Sequence, residues 1–356
     1  MKTILEFPSV RGIQAGREYY VSMCPLGHVP KIFTFTDEAL EPELRAQRQL
    51  NKGRVPEIVR YLVENPASYV FSAITASIDG DATFTPHPGD DHHGVLRVNL
   101  NDSRIILNDG QHRRAAIASA LVESPALADE TIAVVLFHDR GLERCQQMFA
   151  DLNRYGVRPS RSLSVLYDHR DDQALVAKLV IGQVDGLNGL VEMEKSSLSP
   201  RSKALVTLSA LYTATAALLQ DVDLDGVDAR ATTAAGFWEH VAGQFPQWTQ
   251  VREGELSSGQ LRETHIHAHG VALHALGRVG NTLLRRGESF AALNGLNGLD
   301  WRREASDWDG RAVVANRMTK SHQAVLLTAA AIKTRLGVPL SAEEQMFETA
   351  LARENA

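Results

Sequence analysis

Apolar residues recur along the first half of the chain in short blocks of mixed spacing, and along the second half at helical spacing. Glu18 to Met23 (EYYVSM) and Lys31 to Phe35 (KIFTF) have strand character, and Pro25-Leu26-Gly27 between them signals the turn of a hairpin. In RVPEIVRYLVEN, Val59, Leu62 and Val63 fall on one helical face and Pro56 suits a first turn. Tyr69 to Ile78 is β-branched and aromatic enough for a strand, and Val95–Leu100 with Arg104–Leu107 predict a hairpin around Asn101-Asp102. The unbroken apolar run Thr131 to Phe137 predicts a strand covered on both faces. A helix is expected from Gly141 to Arg154 on the stripe Leu142, Cys145, Met148, Phe149 and Leu152, ending near Gly156. From Asp171 onward strand signals nearly vanish. Helical stripes run through Lys203–Leu219, with Ser199 and Pro200 as an expected cap and first residue, and through Leu261–Leu284. Asp221 to Gly226 reads as a loop, the apolar run Ala324 to Ile332 as a helix, and a last helix starts near Ser341 with Glu343 and Glu344 in its first turn. The expectation is a mixed α/β domain over 1–170 and an all-α domain over 171–356.

One stretch joins the two kinds of pattern. Arg104 to Leu121, RIILNDGQHRRAAIASAL, opens with a buried-strand run and closes with Ala116, Ile117, Ala120 and Leu121 on a helical face. A strand turning through glycine into a helix leaves unpaired amides at the helix start, with the positive end of the helix dipole behind them. Gly110 admits close approach of an anion, and Gln111, His112, Arg113 and Arg114 add donors and charge within the first turn. The plainer alternative is that Asp109 caps the helix and the arginines form a solvated face.

The 356 residues carry a net charge of −6, so any nucleic-acid binding has to come from a local basic patch and not from bulk charge. The densest basic run is Arg154, Arg158, Arg161, His169 and Arg170, with Ser160 and Ser162 interleaved as candidate phosphate donors. A solvated connection between domains is the competing reading of that run. Two cysteines in unlike contexts, Cys24 and Cys145, suggest neither a disulfide nor a zinc site; Cys145 reads as core and Cys24 as a loop thiol. The segment FTPHPGDDHHG, Phe84 to Gly94, gathers His87, Asp90, Asp91, His92 and His93 and reads first as an exposed loop, with metal binding the lesser alternative. His265, His267 and His269 lack the HExxH pattern; on a helix His265 and His269 would share a face with Arg262, and packing histidines are the default. No metal ligand set, no Walker A loop and no convincing helix-turn-helix is found in the sequence. No apolar stretch has the length of a signal peptide or a membrane span, so a cytoplasmic protein is expected.

The string NDGQHRRAAI resembles the core segment of the DGQHR-motif proteins, and in particular the DndB family of DNA sulfur-modification proteins. The likeness continues through RVPEIVRYLVENP, YVFSAITASIDGD, MFADLNRYGVRPSRSLSVLYDHRD, VEMEKSSLSPRSKALVTLSALY and DWDGRAVVANRMTKSHQAVLLTAAAIK, so it covers most of the chain. The resemblance implies a ParB-like α/β domain built on the DGQHR strand-turn-helix. It implies a DNA-binding transcriptional regulator acting on promoter DNA of the modification genes, with Arg154, Arg158, Arg161 and Arg170 toward DNA. The alternative it implies is a ParB-like hydrolase of ATP or CTP with Mg2+. There Gly110, Gln111 and Arg113 would cradle phosphate, and Asp109 and His112 would act as catalytic groups. Expected partners are double-stranded DNA, other sulfur-modification proteins and a second copy of the chain.

Overall fold

A computed structural model describes residues 3–33, 52–138, 147–148, 151–152 and 159–354. The chain divides into two compact units, Met1–Val157 and Arg158–Ala356.

In chain order the first unit runs β1 (Ile4–Gln14), β2 (Arg17–Pro25), α1 (Val29–Ile32), α2 (Val55–Glu64), β3 (Ile74–Asp79), β4 (Ala82–His87), β5 (Asp90–Asn99), β6 (Arg104–Asp109), α3 (Gln111–Glu123) and β7 (Thr131–Phe137). All seven strands join one sheet in the order β4-β5-β1-β2-β7-β3-β6. Neighbours are antiparallel except β3 and β7, which run parallel with Ile74 opposite Val134. The residues between β3 and β4 span at most about 11 Å, whereas five strand spacings in a flat sheet would span about 24 Å. The sheet therefore curls, bringing the end of β3 beside the start of β4 although four strands lie between them in the sheet order. One face of this curled sheet, with Ile74, Ala76, Ile78, Leu96, Val98, Ile105, Leu107, Ile132, Val134 and Leu136, packs with Leu62 of α2 and Ala116, Ile117 and Ala120 of α3.

Several local expectations change here. The segment around Lys31 is helical where it is described, because Pro30 suits the first turn of α1 and β2 is already paired on both sides, with β1 and with β7. Phe84 to Gly94 is not a loop but the β4–β5 hairpin, turning at Pro88-Gly89. Val95–Leu100 and Arg104–Leu107 do not pair with each other: β5 lies between β4 and β1, and β6 pairs with β3. For β5 and β6 the hydrophobic pattern places the strands but is silent about partners, which are set by curvature. On β7 one face is buried and the other half-buried, so cover is unequal on its two sides.

The second unit comprises α4 (Arg161–Tyr167), α5 (Asp172–Gln183), β8 (Val191–Glu192), β9 (Val206–Thr207), α6 (Leu208–Leu218), α7 (Gly226–Gly243), α8 (Pro246–Glu253), α9 (Ser258–Thr264), α10 (Gly270–Arg285), β10 (Val313–Val314), β11 (Arg317–Met318), α11 (His322–Leu336) and α12 (Ala342–Glu354). It is a helical unit with two minor two-stranded ladders, β8–β9 and β10–β11. Its core gathers Leu211, Leu218, Phe237, Trp238, Trp248, Leu273, Leu276, Val279 and Val325. α6 and α10 lie so close that a Cβ on Gly277 would meet the carbonyl oxygen of Ala214 at 2.2 Å, an approach that requires glycine. The expected cap at Ser199 is replaced by Thr207, whose hydroxyl accepts from Ala210 N. The stripe Leu261–Leu284 is two helices, α9 and α10, broken at 265–269.

Among the described residues no helix is long and apolar enough to cross a membrane.

Candidate functional site

The motif turn is built where β6 meets α3. Gly110 takes the left-handed conformation, φ +109°, and a Cβ there would stand 2.9 Å from Ile74 Cγ1, so both the backbone angle and the neighbour demand glycine. Asn108 before it is fully buried, its amide donating to Ser77 Oγ at 2.8 Å, and its Oδ1 has no partner among the described residues. Gln111 after it is buried as well.

Both arginines of the turn are engaged. Arg113 Nη2 donates to Asp109 Oδ2 at 2.6 Å, and Nη1 donates to Ser72 Oγ at 2.6 Å and Ala73 O at 2.7 Å. One guanidinium thus ties the start of α3 to the chain entering β3 and to the acid one turn back. Arg114 Nε donates to Phe33 O and Nη2 to Pro30 O, each at 2.7 Å, which satisfies carbonyls at the end of α1. Burial pulls the Arg114 pKa below its ordinary value. Asp109 keeps half of its side chain exposed while that of Arg113 is 15% exposed. His112 is half-buried in the first turn. Sequence reasoning finds Arg113 as a charge but misses Arg114 as a clamp on α1. The four-residue spacing of Asp109 and Arg113 is the available signal for their pairing.

Of the basic run, Arg154 and Arg158 lie outside the described residues, and so does Cys145. Arg161 opens α4, exposed, its guanidinium carbon 5.9 Å from the centre of the Tyr212 ring. Tyr212 in turn donates its hydroxyl to Asp171 Oδ2 at 2.7 Å. Arg170 is exposed at the bend before α5. The interleaved serines are not phosphate donors. Ser160 caps α4, accepting from Leu163 N and donating to Glu194 O, while Ser162 is fully buried, donating to Lys195 O at 2.9 Å and accepting from Ser209 N.

The histidine clusters are structural by geometry. In the β4–β5 turn Asp90 accepts from the amides of His92 and His93 and from the His93 ring, and these bonds bring its pKa down to about 2. His265, His267 and His269 occupy the extended break between α9 and α10, not a helix face. His267 is fully buried, stacked 4.5 Å from Phe245, and accepts from Trp248 Nε1 at 3.0 Å. His269 Nε2 pairs with Arg262 O at 2.6 Å. Arg262, expected to share a face with His265 and His269, donates to Ala204 O and Ser199 O. Among the described residues no group of three His, Cys, Asp or Glu is placed to hold a metal ion. Cys24 is not a loop thiol: it is buried on β2, and burial pushes its pKa up to about 11.

A family model named DndB and described as DNA-sulfur modification-associated matches residues 7–339. No curated protein matches the chain. The match takes in the whole of the motif turn, the α4 arginine and the core helices of the second unit. The chain belongs to the DndB family of DNA-sulfur modification-associated proteins.

Proposed function

We propose that this protein is a DNA-binding regulator within a DNA-sulfur modification system, acting as a homo-oligomer on promoter DNA of the modification genes. Family membership supplies the pathway. The observation that carries DNA binding is Arg161: an exposed guanidinium at the start of α4 that stacks on Tyr212 and pairs with no carboxylate among the described residues. Arg170 stands exposed nine residues on, and Arg154 and Arg158 belong to the same basic run. A chain of net charge −6 needs such a local set to hold a phosphate backbone.

Binding of a promoter duplex should weaken steeply as salt rises. Arg161→Ala and Arg170→Ala are each expected to reduce the slope of log affinity against log salt by about 1, because each variant neutralises one phosphate fewer and releases one counterion fewer. A slope unchanged in both variants removes these residues from the interface.

The ParB-like reading, nucleotide hydrolysis at the motif turn, rests on the half-exposed carboxylate of Asp109 beside the first turn of α3. A triphosphate there has no unspent guanidinium to meet, since Arg113 and Arg114 already serve Asp109 and five backbone or side-chain oxygens. The residues fit a structural clamp better than a phosphate cradle. Phosphate release from ATP or CTP that is lost in Asp109→Ala and His112→Ala would favour this reading over the regulator.

A further inference from the structure

The second unit holds a basic cluster in which two cations, Lys320 and Arg161, pair with no acid among the described residues. Gly270, His274 and Arg278 follow one another at four-residue spacing on α10 and so share a face. Lys320 and His322, around the start of α11, and Arg161 of α4 all lie within electrostatic reach of His274. Lys320 sits directly over the first residue of α10: a Cβ on Gly270 would stand 3.1 Å from its Nζ. Beside it opens a cavity of about 740 Å³, lined among others by Lys320, Gly270, His269, Ser209 and Ser197. That volume suits a nucleotide-sized guest. The one acid on the lining, Glu263, is exposed and makes no ion pair with Lys320.

The charges of this cluster are unequally balanced. Glu344 lies 3.9 Å from Arg278 but already accepts from Lys333 with both oxygens at 2.8 Å, and Glu343 pairs with His322 at 2.9 Å. Lys320, exposed at the rim of the cavity, has neither hydrogen bond nor ion pair among the described residues, and Arg161 has only the Tyr212 ring. Like charges gathered this closely repel one another, and no acid among the described residues pairs with Lys320 to offset that repulsion. The first turn of α10 adds to the field. His269 gives it no side-chain cap, its ring being turned to Arg262 O, whereas at α6 Thr207 and Ser162 bond the first amides.

We infer that the cavity at the start of α10 is a phosphate site, in which Lys320 binds the phosphate ester of a nucleotide or of the DNA backbone and Arg161, near Lys320 but not on the cavity lining, adds to the positive field. The site goes beyond the regulator proposal, because its evidence is the unpaired charge and the cavity, not the promoter. Partial desolvation at the cavity wall and the neighbouring Arg161 lower the pKa of Lys320. Burial, followed by the surrounding cations, brings His274 down to about 4.

The test is titration calorimetry on the full chain at fixed ionic strength with three probes: inorganic phosphate, a nucleoside triphosphate, and a short DNA duplex. Wild type is expected to bind at least one, with Lys320→Gln and Arg161→Gln each weakening that binding by about ten-fold or more. Without ligand, Lys320→Gln should leave the melting temperature at or above that of wild type, since it relieves repulsion within the cluster; this separates loss of binding from misfolding. Gly270→Ala, which pushes a methyl toward Nζ, should weaken binding in the same direction. Triphosphate binding without duplex binding supports the site with a nucleotide as its guest and removes the promoter reading. Duplex binding that Lys320→Gln weakens supports the site with backbone phosphate as its guest. Duplex binding untouched by Lys320→Gln overturns the site and leaves the promoter reading standing, and the absence of binding by all three probes overturns it outright.

Discussion

Gly110 shows how much of the motif is spent on shape. Its φ of +109° is one that a side chain resists, and the space a Cβ would need is held by Ile74. Gly110→Ala should therefore cost about 1–3 kcal/mol of stability, read as a lower urea midpoint at unchanged slope; a midpoint like that of wild type would mean that the turn relaxes freely. His267 makes a second residue-scale prediction. Burial, with its neighbours His265 and His269, brings its pKa from 6.5 down to about 3. The unfolded chain takes up this proton near pH 6.5 and the folded chain only near 3, so between those values the unfolded state binds more protons and stability rises with pH. Between pH 6.5 and 5, before most carboxylates titrate, this histidine should contribute a slope approaching about 1.4 kcal/mol per pH unit. His267→Phe should reduce the slope over that interval by up to about 1.4 kcal/mol per pH unit, the remainder coming from the other lowered histidines such as His274, whatever its effect at neutral pH. An unchanged slope would mean that His267 does not titrate there.

At the scale of elements, α11 and α12 are joined by a buried ion pair, Lys333 with Glu344, both side chains nearly inaccessible. Glu344 also accepts from Ser341 N, closing the start of α12. Removing one partner strands the other charge in the core. Glu344→Gln should cost about 3–5 kcal/mol, while the apolar double change Lys333→Met with Glu344→Leu should recover much of that loss. Thermal unfolding of wild type and the two variants decides it, and a Glu344→Gln protein as stable as wild type would show the pair to be dispensable. The acidic first turn of this helix was legible in the sequence. That one of its two glutamates is buried and the other meets His322 was not, because adjacent residues at a helix start differ in facing by about 100° and only packing selects which points inward.

For the molecule as a whole, α4 packs within the second unit: Val165 joins Ala174, Ala177 and Leu208 in one apolar cluster, and Tyr212 lies under Arg161. A fragment spanning 158–356 should fold cooperatively by circular dichroism, and one spanning 171–356 should melt lower, having lost the helix that covers Leu208. Equal melting temperatures would show α4 to be an appendage. The change from short mixed blocks to helical stripes was written in the sequence, as was each strand or helix whose apolar period is unambiguous, because periodicity is a local property. The Asp109–Arg113 spacing and the basic run were likewise open to a reader of residues alone. What only tertiary structure decided was which groups meet. Curvature of the sheet put β5 and β6 with different partners. The approach of α1 and of the chain before β3 used up the motif's two arginines, while Lys320 was left over Gly270 with no acid paired to it among the described residues. A side chain's charge is set by its type, but whether that charge is spent or left over depends on distances to residues tens or hundreds of positions away, and those distances exist only once the chain has folded.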